Sequence, residues 1–187
     1  YRKAAAKGNA NAMNDIGCMY YNGQGVTRDY AMAMHWWLKS AALGGDVAIT
    51  NIGMMYEKGQ GVPQNYTLAL QWYKKAAARG RADAMDYIGD LYTNGNGIAQ
   101  NYTLALQWYQ KSAARGNTDA MDHIGDLYTI GNGVPQNYTR ALQWYQKAAA
   151  RGNTDAMISI GAAYQDGNIN DTNFRSEERR VGKECRS

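Results

Sequence analysis

The sequence is poor in cysteine. Of its 187 residues only two are cysteine, Cys18 and Cys185. That is too few for a disulfide framework, and it favours a reducing, cytoplasmic-type compartment over a secretory one. Long apolar runs are missing as well. None approaches the ~20 consecutive residues needed to cross a bilayer, so no membrane span is expected within the sequence. Catalytic signatures are equally scarce. There is no H-E-x-x-H, and no nucleophile stands beside an evident base. The glycine-rich stretch "NGNGIAQN" lacks the Lys-Ser/Thr of a phosphate loop. No enzyme activity, cofactor or metal site is expected.

Excess charge of one sign is also lacking once the end of the chain is set aside. The closing stretch "RSEERRVGKECRS", residues 175–187, reads like the translation of a short-read sequencing adapter and is expected not to be native. It holds 5 of the 20 Lys and Arg and 3 of the 16 Asp and Glu, leaving 15 basic against 13 acidic residues. A net charge of +2 is no electrostatic footprint for nucleic acid. The sequence opens on "YRKAAAKG", inside a repeat and without an initiating Met, so a fragment at both ends is expected.

What the sequence has in abundance is periodicity. Gly17, Gly53, Gly89, Gly125 and Gly161 stand 36 residues apart, and so do Tyr20, Tyr56, Tyr92, Tyr128 and Tyr164. Trp36, Trp72, Trp108 and Trp144 keep the same interval. Four full repeats fit, 9–44, 45–80, 81–116 and 117–152, with partial repeats at 1–8 and 153–174. Inside one repeat, Ala84, Ile88, Leu91 and Tyr92 make a helical apolar stripe, with Asp83 placed to cap it and Gly95 or Gly97 to end it. Tyr102, Ala105, Leu106, Tyr109 and Ala113 make a second stripe, closed at Gly116. Each repeat is thus a helix A, a glycine loop and a helix B. Neither helix can bury its stripe alone, which predicts an all-α solenoid of stacked helix-turn-helix repeats. Gly89 and its equivalents lie inside helix A, where glycine costs ~1 kcal/mol relative to alanine. Their recurrence predicts a close approach of helix B under an aromatic ring, with Trp108 and Tyr109 supplying bulk.

The tetrapeptide "QNYT" occurs at Gln64–Thr67, Gln100–Thr103 and Gln136–Thr139, and each copy is also an N-glycosylation sequon. Asn65, Asn101 and Asn137 fall where helix B begins, and the first full repeat has Asp29 there. Asp and Asn both offer a side-chain oxygen to free backbone N–H groups. Capping explains four repeats; a glycan explains three.

The pattern A-x-x-x-I-G-x-x-Y-x-x-G-x-G-V followed by N/D-Y-x-x-A-x-x-W-Y-x-K-A-A-x-x-G resembles the Sel-one-like repeat, a tetratricopeptide-related helical hairpin. Ala84, Ile88, Gly89, Tyr92, Gly95, Gly97, Ile98, Ala105, Trp108, Lys111, Ala113 and Gly116 carry it in one repeat. The resemblance implies an α/α superhelix, a concave face lined mainly by A helices, and a role as scaffold or adaptor for a protein partner. Such repeats are also joined to kinase domains in signalling proteins, which leaves a regulatory region of a larger enzyme as an alternative. A glycosylated adaptor in the secretory lumen is another.

Partner specificity is expected where the repeats differ. On helix A the varying positions read Asn14, Asp15, Cys18; Thr50, Asn51, Met54; Asp86, Tyr87, Asp90; Asp122, His123, Asp126; and Ile158, Ser159, Ala162. The pairs Asp86/Asp90 and Asp122/Asp126 each share a helix face at i, i+4. With Tyr87 and His123 beside them, they are candidate contacts for a basic partner segment. The alternative is ordinary solvated surface charge.

Overall fold

A computed structural model describes residues 1–165, and every regular element among them is an α-helix. Residues 175–187, and the end of the last partial repeat, lie outside the described residues. The chain forms two compact units, which divide between Gln100 and Asn101. The first holds α1 (Arg2–Ala5), α2 (Ala10–Asn22), α3 (Tyr30–Ala42), α4 (Asp46–Lys58), α5 (Tyr66–Ala78) and α6 (Ala82–Asn94). The second holds α7 (Tyr102–Ala113), α8 (Thr118–Ile130), α9 (Tyr138–Ala149) and α10 (Thr154–Gln165). In the first unit α2 packs on α3 and α4 on α5, and each B helix packs in turn on the next A helix. The second unit repeats this with α8 on α9, α7 on α8 and α9 on α10. These are the paired helices of an all-α solenoid. No helix among the described residues is long and apolar enough to cross a membrane.

The glycine inside helix A has the steric cause the sequence predicts. A Cβ built on Gly53 would stand 2.6 Å from the ring of Tyr73, and those on Gly17 and Gly125 would collide with Trp37 and Tyr145. The rings that take this space are fully buried: Trp37 is 1% exposed and Tyr73 0%. Ile49, Ile52 and Met55 of α4, the helix that packs on α5, are also out of solvent. Burying side chains of this size stabilises by about 1.5–3 kcal/mol each.

Trp108 does not share the buried role of Tyr109. Trp36, Trp72, Trp108 and Trp144 are only half-buried, because one residue back along a helix is a turn of 100° and leaves the apolar stripe. Their rings lie under Lys39, Lys75, Lys111 and Lys147, with Nζ 5.1, 4.9, 4.1 and 4.3 Å from the centroids. These lysines are held over aromatic faces.

The "QNYT" segment closes the hairpin. Asn65, Asn101 and Asn137 each accept a backbone N–H three residues on, at 2.9, 2.9 and 2.8 Å, and Asp29 does the same at 2.9 Å. The cap residue's own N–H returns to helix A, as from Asn65 to the Tyr56 carbonyl at 2.8 Å and from Asn137 to that of Tyr128 at 2.8 Å. The glutamine also contributes: Nε2 of Gln64, Gln100 and Gln136 donates to the carbonyls of Glu57, Thr93 and Thr129 at 2.7–2.8 Å. At the loop start, Gly59 and Gly131 take φ of 66° and 87° and donate back to the carbonyls of Met55 and Leu127, a left-handed helix end that glycine adopts at least cost.

Asp83 is not the N-cap of α6. The helix begins two residues earlier than the stripe indicates, the cap position falls on Arg81, and Asp83 sits in the first turn paired with the Arg81 guanidinium. It still complements the positive end of the helix dipole. Arg79, at the C-terminal end of α5, reaches back one repeat to the Gly44 carbonyl at 3.1 Å and Asp46 at 2.8 Å.

Gly53→Ala is expected to destabilise the protein by about 1–3 kcal/mol through overpacking against Tyr73, despite alanine's better helix propensity. Gly161→Ala, where a Cβ would meet nothing within 4 Å among the described residues, is expected to be neutral or slightly stabilising. Urea unfolding of both variants separates the two cases. Asn65→Ala should lose about 1 kcal/mol and Asn65→Asp should retain it, read by the same denaturation.

Candidate functional site

The varying positions of helix A lie in different units and have different surroundings. In the first unit they link neighbouring A helices: Asn51 of α4 donates through Nδ2 to Asn14 Oδ1 of α2 at 3.1 Å, with Cys18 Sγ 4.0 Å away. Burial pushes the Cys18 thiol up, so it is no activated nucleophile.

On α6, Asp86 is 4% exposed, while Tyr87 and Asp90 are half-buried. The Tyr87 ring lies 5.2 Å from that of Tyr73, tilted by 39°. Tyr73 in turn donates its phenol hydrogen to the Glu57 carboxylate. Burial, and then the Glu57 charge, push the Tyr73 phenol far up. Burial does the same to Tyr87, reinforced by Asp83 and Asp86.

In the second unit, Asp122, His123 and Asp126 stand on α8. Asp126 Oδ1 accepts from the Tyr145 phenol at 2.8 Å, and the Thr129 hydroxyl lies 3.0 Å from the same phenol oxygen. His123 packs its ring 4.9 Å from that of Tyr109. Asp122 is 8% exposed, and its Oδ1 is fully buried with no hydrogen-bond partner among the described residues. Burial, then the charge of Asp126, push its carboxyl up to about 6, with His123 opposing. Asp86 and Asp122 are therefore not ordinary solvated charge, the alternative the sequence left open.

Sequence reasoning missed Glu57 and Thr129. Both stand four residues after the helix-A glycine, on the same 36-residue interval as Tyr21, and each meets the buried ring of its own repeat. Tyr21 packs against Trp37 with centroids 5.5 Å apart, Glu57 accepts from Tyr73, and Thr129 faces Tyr145. The signal was present in the spacing, but three unlike side chains at one position hide a shared contact.

Asp122 also makes a prediction about stability. Its folded carboxyl, at about 6, holds a proton more tightly than the unfolded ~3.9. The group therefore destabilises the fold fully above about pH 6, and that penalty is relieved as pH falls from 6 towards 4. Asp122→Asn is expected to remove this acid-side gain, on the order of 1–2 kcal/mol after discounting for partial solvation, in thermal or urea unfolding between pH 7.5 and 4.5.

Residues 10–45, 46–80, 82–117 and 118–153 each match the Sel1 repeat. Among solved structures, the Sel1 repeat protein from Oxalobacter formigenes is similar with a TM-score of 0.81 and 39% identity, over 87% of this chain and 66% of that one. The c5321 protein, a protective antigen present in uropathogenic Escherichia coli strains, gives 0.80 and 35% over 89% of this chain and 36% of its own. Among curated proteins, the ERAD-associated E3 ubiquitin-protein ligase component HRD3A of Arabidopsis thaliana is 57% identical over 37 residues, 19% of this chain and 6% of that protein. The chain spans less than two thirds of the length of each of these relatives. With four matched repeats covering most of its length, the chain belongs to the Sel1 repeat family, whose paired helices typically serve as non-catalytic scaffolds for protein–protein interaction.

Proposed function

We propose that this array holds a protein partner on the varying face of its A helices, and that the partner presents a basic segment. Asp86 and Asp90 of α6, and Asp122 and Asp126 of α8, supply the negative charge. Tyr87 and His123 supply ring contacts. The observation that supports this reading most strongly is the placement of Asp122. A buried carboxylate with an unsatisfied oxygen works against folding, and the repeat does not need one, since the same position is Asn14 in the first full repeat and Thr50 in the second. A residue that strains the fold and serves no repeated contact fits a binding role. The single cysteine of the described residues, Cys18, is free, in keeping with a reducing compartment.

A luminal, glycosylated adaptor is the second reading. The caps engage only the Oδ1 atoms of Asn65, Asn101 and Asn137, which leaves the amide nitrogens as acceptors for a glycan. Asp29 caps just as well with no such nitrogen, and the cytoplasmic reading is preferred. A glycosidase-sensitive mass shift on protein purified from its natural host would reverse that order.

Replacing Asp86, Asp90, Asp122 and Asp126 together by Asn is expected to weaken capture of a Lys/Arg-rich peptide at least about tenfold in fluorescence anisotropy at low salt, with the helical circular dichroism unchanged. Undiminished binding by the folded quadruple variant would refute the acidic-face reading.

A further inference from the structure

The two aspartates of α8 are not equivalent. Asp126 is engaged by the Tyr145 phenol at 2.8 Å. Asp122, one turn earlier, has a buried Oδ1 with no donor among the described residues. The groups that act on it are Asp119, His123 and Asp126 of α8 and Asp155 of α10. Tyr145 of α9 directs its hydrogen to Asp126, and Tyr109 of α7 lies against His123. The second unit thus surrounds Asp122 with three other carboxyl groups and gives its buried oxygen no hydrogen. Such a carboxyl is kept comfortable either by a proton or by a cation brought from outside.

Building on the acidic-face reading, we infer that Asp122 is the anchor for one lysine or arginine side chain of the partner, and that seating this cation displaces a proton from Asp122 to solvent. The carboxylic acid becomes a carboxylate, the proton leaves to buffer, and the incoming ammonium or guanidinium supplies both charge and hydrogen-bond donor. Capture is then gated by pH. In the free protein burial and Asp126 hold the group near 6, so the competing proton is present below that value and absent above it. Asp126 already has a donor, the Tyr145 phenol, on its Oδ1.

Calorimetry of the whole chain with tetralysine amide, in buffers of different ionisation enthalpy, tests this. At pH 6 binding should release roughly half a proton, and affinity should fall about tenfold between pH 7 and pH 5. Asp122→Asn should abolish the proton release and flatten the profile, whereas Asp29→Asn, at a helix cap in the first unit, should keep both. A ¹³C titration of the Asp122 carboxyl should show its pKa lowered by the peptide, a readout that needs no variant. If tetralysine binds but Asp122→Asn leaves the proton release unchanged, the anchor assignment is wrong while the acidic face stands. If tetralysine fails to bind the wild type at pH 7.5 and low salt, the acidic-face reading fails and the anchor with it.

Discussion

One close approach holds the repeat together: an aromatic ring of helix B occupies the space where helix A would carry a Cβ. Gly53 and Tyr73 show it most plainly, with a would-be Cβ at 2.6 Å from the ring. Because the ring replaces a side chain, the two helix axes come closer than Leu or Ile would allow, and the ring is buried to 0%. The helix tolerates glycine's ~1 kcal/mol penalty because the buried ring contributes more than that. Gly161 marks the contrast. No atom fills its socket among the described residues, and Met157, Ile158 and Tyr164 of the same helix are exposed.

The rest of the hairpin serves that contact. The left-handed glycine stops helix A, the glutamine amide ties off its last carbonyls, and the Asn or Asp side chain starts helix B at a fixed distance from the socket. Each group satisfies a backbone atom that a helix end leaves unpaired. The Trp–Lys pairs on helix B are looser. They shield the edge of the buried stripe and keep the outer surface wet. Asn65 and its equivalents recur because the hairpin has one workable entry into helix B, and this accounts for a sequon-like spelling without invoking a sugar.

Against this economy the varying positions of helix A, Asp86, Tyr87 and Asp90 in the first unit and Asp122, His123 and Asp126 in the second, are an exception. Their side chains change from repeat to repeat, and two of them place carboxylates where water is largely excluded. Asp126 is repaid by the Tyr145 phenol, and Asp122 is not. Folding gains nothing from the difference. The proposed partner contact therefore rests on the one buried side-chain group among the described residues of the second unit that is left without a hydrogen-bond partner.

The sequence by itself determined the 36-residue interval, the helix pair, the glycine stop, the Asn cap and the presence of an aromatic ring over the helix-A glycine. All of these are local or periodic, so each leaves a mark at a fixed spacing along the chain. Which of two adjacent rings goes inside was decided by the tertiary structure: Tyr109 is buried while Trp108 stays at the rim under Lys111, because helix rotation relative to the neighbouring helix sets the boundary of the stripe. The same holds for Asp83, moved from cap to first turn by a start two residues earlier. It holds most of all for Asp122 and Asp126, identical in residue type and four apart on one helix. Only packing against α9 gave one of them a phenol and left the other without a donor, since hydrogen-bond satisfaction depends on atoms remote in sequence.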